Sequence, residues 1–93
     1  MHFVVGPGFD RDPSGRVVPD DLIAVARAAD DLGFFGFTSS DHPAPPLSFE
    51  ESGGHHDWDL FAALAALARE TTSIRLVAAL VVMPYRNPLL SAK

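Results

Sequence analysis

The sequence predicts an α/β fold in the order β-α-β-α-β-α, and three observations carry that reading. Hydrophobic periodicity switches repeatedly between short continuous apolar runs and helical spacing. Each apolar run closes on a turn signal: Gly6-Pro7-Gly8, then Ser40-Asp41-His42-Pro43, then Pro84-Tyr85-Arg86-Asn87-Pro88. The second and third runs are apolar on both faces, as strands of a parallel sheet are.

The first strand is a β-prone run over residues 3–5, followed by a polar loop that contains the turn-forming Asp12-Pro13-Ser14-Gly15. A helix begins at Pro19, which suits a first-turn position. Asp20 and Asp21 complement the positive end of its dipole, and Leu22, Val25, Ala29 and Leu32 fall on one face. Gly33 stops this helix as the residue after the cap.

Residues 34–39 form the second strand and deliver Asp41 and His42 into a long loop over 43–56. Pro43, Pro45, Pro46, Gly53 and Gly54 exclude regular structure over most of that loop. Asp57 and Asp59 both qualify as helix starters, and Leu60, Leu64, Leu67 and Ala68 recur at helical spacing to Glu70. Residues 74–82 read as a third buried strand, too uniformly apolar and β-branched to face water on one side. Asn87 as N-cap and Pro88 as first-turn residue then open a last helix.

Three parallel strands cannot cover both of their own faces, and either edge presents unpaired backbone groups. The arrangement therefore reads as the N-terminal β-α-β-α-β-α portion of a TIM-type (β/α)8 barrel, truncated, since a complete barrel needs about 250 residues. The missing strands come from further sequence or from another chain. Residues 1–93 then form one N-terminal part of a single barrel domain.

Composition narrows the function classes. With 47% hydrophobic residues the chain is globular rather than disordered. Seven basic residues stand against twelve acidic ones, for a net charge of -5, and they are scattered singly, so nucleic acid is not an expected partner. Cysteine is absent, which excludes disulfide frameworks, thiolate metal sites and thiol nucleophiles, and fits a reducing compartment. The N-terminus has no secretory pattern, and the longest apolar run, over 76–84, is well short of the roughly 20 residues of a membrane helix. A cytoplasmic protein with no membrane partner is the expectation.

Asp41 and His42 stand where an apolar strand runs out, the end that faces the active site in a barrel of this kind. The alternative is that Asp41 caps the following turn and His42 only packs there. His55, His56 and Asp57, with Asp41 and His42, also offer nitrogen and oxygen ligands for a zinc site. Adjacent histidines do not readily face one ion, however, and the first strand lacks the His-x-His pair usual in barrel metal hydrolases. No metal is expected, and a metal-dependent hydrolase stays a remote reading. His55 and His56 fit better on a substrate-entrance lid hinged at Gly53-Gly54, with Trp58 anchoring it on the core.

Several segments together carry a family resemblance: Leu32-Gly33-Phe34-Phe35-Gly36-Phe37 into Ser40-Asp41-His42-Pro43, then Gly53-Gly54-His55-His56-Asp57, Ile74-Arg75-Leu76, and Pro84-Tyr85-Arg86-Asn87-Pro88-Leu89-Leu90 with Ala92-Lys93. In this order and spacing they resemble the N-terminal part of the bacterial-luciferase-like monooxygenase superfamily. Within it the chain is most similar to oxidoreductases that use the deazaflavin coenzyme F-420. The luciferase branch continues acid-His-His, whereas Pro43 follows His42 here.

The resemblance implies a barrel that binds a deazaflavin, or alternatively FMN, across the C-terminal strand ends and moves hydride to or from a small organic substrate. It implies cofactor contacts at Asp41 and His42, with the histidine close to the reactive face of the ring. An imidazole can take or supply the accompanying proton near neutral pH, and a neighbouring carboxylate can fix its tautomer. It also implies a non-prolyl cis peptide at Ala79-Leu80 backing the ring, beside the alternative of an ordinary buried strand. Arg86 either contacts a phosphate or shapes the barrel rim. A homodimer is the expected assembly of the complete protein, and an FMN-dependent monooxygenase or an inactive barrel fragment needing a partner chain are the alternative readings.

Overall fold

In a computed structural model, which describes residues 1–6, 18–52 and 57–93, three strands form one parallel sheet in the order β1-β2-β3. They are β1 (Val4–Val5), β2 (Gly36–Ser39) and β3 (Arg75–Ala78). Between and after them run α1 (Pro19–Asp31), α2 (Leu47–Glu51), α3 (Leu60–Glu70), a 3-10 turn at Met83–Tyr85 and α4 (Pro88–Ser91). The alternation of strand and helix is as the periodicity predicts. The loop with Asp12-Pro13-Ser14-Gly15 and the hinge Gly53-Gly54 lie outside the described residues.

Strand register decides which side chains build the core. Val5 pairs with Phe37 and Phe37 with Leu76, and this row faces the helices. Phe37 is fully buried there among Leu22, Ala26 and Ala29 of α1, Ala63 and Leu67 of α3, and Ile74. Burying side chains as large as Phe37 and Leu67 contributes about 1.5–3 kcal/mol each. The alternate row turns away from this core. A Cβ added to Gly36 would lie 3.2 Å from Val77 Cγ2 and 3.2 Å from the Arg75 carbonyl, so glycine lets β2 and β3 approach there.

Helix α1 buries a different stripe from the predicted one. Leu22, Ala26 and Ala29 are buried, whereas Val25 is 40% and Leu32 is 76% exposed. Two alanines let α1 lie close to α3, and Leu32 has already left the last helical turn as its C-cap. Gly33 follows with φ 75°, the left-handed conformation that glycine adopts most readily. The Gly33 amide donates to the Asp30 carbonyl and the Phe34 amide to the Ala29 carbonyl, both at 3.0 Å, which closes the helix in a Schellman arrangement.

Two further expectations are corrected. The loop over 43–56 contains α2, because no glycine or proline interrupts Leu47–Glu51; the Phe49 amide donates to the Pro46 carbonyl at 2.9 Å. The third strand ends at Ala78 rather than at 82, and it is not buried throughout. Arg75 and Ala78 are exposed because, among the described residues, nothing pairs with its outer edge. The Ala79 amide still donates to the Ser39 carbonyl at 3.2 Å, and the Ala79–Leu80 peptide, where the resemblance implies a cis bond, is cis.

Helix α1 is tied to β3 by one carboxylate. Asp30, in the last turn of α1, accepts from the amides of Thr72 at 2.6 Å, Ser73 at 3.1 Å and Ile74 at 2.8 Å. These contacts, the Thr72 amide foremost, hold its carboxyl below the usual aspartate range. Arg27 of α1 also pairs with Glu70 of α3 on the surface. Among the described residues no helix is long and apolar enough to cross a membrane.

Candidate functional site

The site begins where β2 and β3 end side by side, with Ser39 in register with Ala78. Beyond those residues the two chains run on as Ser40-Asp41-His42 and Ala79-Leu80-Val81-Val82. Successive side chains of the first segment engage different partners. Ser40 and His42 meet Asp57, and Asp41 meets Val82 and Arg86.

Asp41 is the one charged or polar residue buried among those described, at 3% exposure. A carboxylate so placed must be paired. Its Oδ2 accepts from the Val82 amide at 3.1 Å and from Arg86 Nε at 3.1 Å, and its Oδ1 accepts from Arg86 Nη2 at 2.7 Å. The fork of the guanidinium matches the carboxylate edge to edge. These hydrogen bonds, Arg86 first, hold the Asp41 carboxyl below its usual range, and Asp41 in turn raises the affinity of Arg86 for its proton.

Arg86 has a third anchor. Its Nη1 donates to Asp59 Oδ2 at 3.0 Å, while Asp59 Oδ1 accepts from the Ala62 amide at 3.0 Å as the N-cap of α3. The guanidinium carbon stands 4.8 Å over the Phe61 ring. Asp59 is therefore the helix starter of the two candidates. Arg86 thereby ties the end of β2 to the start of α3 and to the turn before α4. The Asn87 carboxamide, as predicted, caps α4 by accepting from the Leu89 amide at 2.9 Å.

His42 occupies a different setting. Its side chain is 34% exposed, and its Nε2 lies 3.6 Å from Asp57 Oδ2. The ring stands 5.3 Å from that of Phe49 on α2. Asp57 is itself nearly buried, with 4% of its side chain exposed, and its Oδ2 accepts from the Ser40 hydroxyl at 2.6 Å. The carboxylate beside the imidazole is thus the one 15 positions downstream in the chain, and Asp41, its sequence neighbour, is committed to Arg86 and Val82.

A cleft of about 120 Å3 opens at this end of the sheet, lined by Asp41, His42, Pro43, Ala44, Pro45, Val82 and Tyr85. A larger concavity of about 480 Å3 lies at the opposite ends of the strands, against Phe3, Phe35 and Arg75. There Arg75 stands over the Phe35 ring at 4.4 Å and His2 stacks on the same ring at 4.1 Å. Size favours the second, but the smaller one holds the half-exposed imidazole with a carboxylate beside it, the arrangement that proton transfer needs. On the sheet itself Thr38 Oγ1 is buried with no hydrogen-bond partner among the described residues.

Ala79 and Leu80 follow β3 at the same end as His42, and both are exposed, Leu80 at 69%. Small Ala78 and Ala79 leave backbone within reach of a flat ligand. His55 and His56 lie outside the described residues, and among the described residues no group of three or more His, Cys, Asp or Glu side chains converges as metal ligands. Ser40, Phe49 and the contact of Asp57 with His42 carry no local signature in the sequence. A second carboxylate two residues before the N-cap Asp59 is the available signal for Asp57.

A family model described as luciferase-like monooxygenase matches residues 1–93 of the chain. No curated protein and no solved structure matches it.

Proposed function

Because the chain belongs to the luciferase-like monooxygenase family, we propose that it serves an oxidoreductase acting on a small organic substrate, with His42 as the proton donor or acceptor. The observation that carries this reading is the place of His42: half-exposed in a cleft at the C-terminal strand ends, with a carboxylate beside it. The family works with reduced flavin or deazaflavin, and such a group supplies the hydride chemistry when bound.

The residues present suit a flat tricyclic ring. Ala79 and Leu80 offer small and apolar surface beside the cleft, and the chain carries no bulky side chain between Val77 and Leu80. His42 is placed to exchange a proton with a ligand in the cleft, and Asp41, through Arg86, holds the segment that carries it. For the coenzyme, Asp41-His42-Pro43 favours deazaflavin F-420 over FMN, because the luciferase branch of the family continues with a second histidine where Pro43 stands here. The outer edge of β3 is where further barrel strands attach in this reading.

The test is a fluorescence titration of the protein with F-420 and, separately, with FMN. Saturable quenching by F-420 with weaker response to FMN supports the full reading, and preference for FMN moves it to the monooxygenase branch. Binding of neither overturns the proposal.

A further inference from the structure

Asp57 is a nearly buried carboxylate at the same end of the sheet as His42. It lies two residues before Asp59, the N-cap of α3, so it does not start the helix. Yet its side chain is only 4% exposed, and a carboxylate is expensive to hide unless its oxygens meet donors. One donor is the Ser40 hydroxyl at 2.6 Å, within the range of charge-assisted O–H···O⁻ bonds. The imidazole edge of His42 lies beside the same oxygen at 3.6 Å.

We propose that Asp57 is the positioning residue for His42: held by Ser40, its carboxylate orients the imidazole and keeps a hydrogen on Nε2. The inference rests on reading His42 as the proton-handling group of the cleft. Asp41 is held away from this part by its other partners: both of its oxygens are occupied by Arg86 and Oδ2 also by the Val82 amide. At 3.6 Å the contact is longer than a hydrogen bond, so it acts through electrostatics. That is enough to choose a tautomer: a ring lone pair facing the carboxylate is repelled, and an N–H is attracted.

Steric confinement completes the arrangement. The Phe49 ring stands beside the imidazole at a tilt of 35°, which restricts rotation of the ring away from Asp57. Ser40 and His42 both derive from the end of β2 and converge on the same Asp57 oxygen, so the strand and the start of α3 fix the pair from two sides. A fixed tautomer matters to a proton-transfer residue because only one ring nitrogen then carries the hydrogen and the other accepts. Such outer partners are typically worth about 10- to 100-fold in activity.

The experiment uses the protein labelled with 15N-histidine, with ring nitrogen shifts recorded at alkaline pH, where imidazole is neutral. The His42 signals are assigned by their loss in His42→Gln. The wild type is expected to show one dominant tautomer with hydrogen on Nε2. Asp57→Asn, isosteric and uncharged, is expected to raise the other tautomer, and Ser40→Ala to do so in part. Averaged tautomers in the wild type, or an Asp57→Asn spectrum superimposable on it, overturn the inference. A kcat loss of about 10- to 100-fold in Asp57→Asn, with KM little changed, is the matching kinetic result. The tautomer readout needs no cofactor. A protein that binds neither F-420 nor FMN but shows the shift loses its proposed function and keeps this pairing, while the converse result sinks the pairing alone.

Discussion

Asp41 and Arg86 stand 45 positions apart in the chain and meet in a two-pronged ion pair, Nη2 to Oδ1 at 2.7 Å and Nε to Oδ2 at 3.1 Å. The carboxylate side chain is 1% and the guanidinium side chain 16% exposed, so the pair is shielded from water far more than a surface bridge is. It joins the end of β2 to the segment between β3 and α4, and it thereby fixes the backbone from which His42 projects.

Breaking that pair from the Arg86 side leaves a buried carboxylate with only the Val82 amide. Arg86→Ala is therefore expected to lower the midpoint of thermal unfolding by roughly 10 °C. Arg86→Lys keeps the charge but not the fork, and it is expected to fall between the wild type and the alanine variant. Circular dichroism melts of the three proteins check the order; a lysine variant as stable as the wild type would show that the two-pronged geometry is irrelevant.

Acid stability follows from the same contacts. The carboxyls of Asp30, Asp41 and Asp59 are all held below their ordinary values, Asp30 by the Thr72 amide, Asp41 by Arg86 and Asp59 by the Ala62 amide. A carboxyl depressed in the folded state contributes stability that is fully present above its unfolded value, near 3.9, and is lost as pH falls through the folded value. Thermal midpoints are expected to stay level from neutral pH to about 5 and to drop steeply below about 4. Asp41→Asn removes one of the three groups, so its curve is expected to be shallower; a slope equal to the wild type's would remove Asp41 from the account.

Asp59 does two jobs that substitution can separate. Its Oδ1 caps α3 and its Oδ2 receives Arg86 Nη1. Asparagine retains capping ability, whereas alanine does not, and loss of a cap costs about 0.5–2 kcal/mol. Asp59→Ala is expected to be clearly less stable than Asp59→Asn in urea unfolding, with Asp59→Asn close to the wild type because its side chain is 56% exposed. Equal losses in the two variants would mean that the Arg86 contact, and not the cap, is what the residue supplies.

Local rules account for what was legible in the sequence. Gly33 after a helical pattern, Asp59 and Asn87 before apolar or Pro-led turns, and short apolar runs between them gave the strands and three of the four helices, because caps and periodicity are set by neighbours in the chain. The position of Asp41 and His42 at a strand end was legible for the same reason. Their partners were not. Asp41 finds Arg86 at a separation of 45, Asp30 finds Thr72 at 42, and Ser40 finds Asp57 at 17, and such pairings depend on strand register and helix placement that no short window contains. The buried stripe of α1 was misplaced likewise, because Val25 and Ala26 compete on hydrophobicity alone while close packing against α3 selects the alanine. Helix α2 was missed because the prolines around it mask five residues that contain none.

The proton-handling role proposed for His42 makes the sharpest kinetic prediction. A group that only lines the cleft contributes to binding in ground and transition states alike, so its loss raises KM or the cofactor Kd and leaves kcat near its former value. A group that gives or takes a proton in the transition state contributes there alone, and its removal lowers kcat by about 10²- to 10⁴-fold. His42→Gln retains a polar side chain of similar reach but cannot titrate, whereas His42→Ala also removes the ring that stands beside Phe49. Both variants are expected to lose kcat by about the same factor, with cofactor affinity changed little in His42→Gln and weakened further in His42→Ala. Steady-state kinetics and cofactor titration on the three proteins separate the outcomes. If His42→Gln turns over at the wild-type rate, His42 is a wall of the cleft and the proton passes elsewhere.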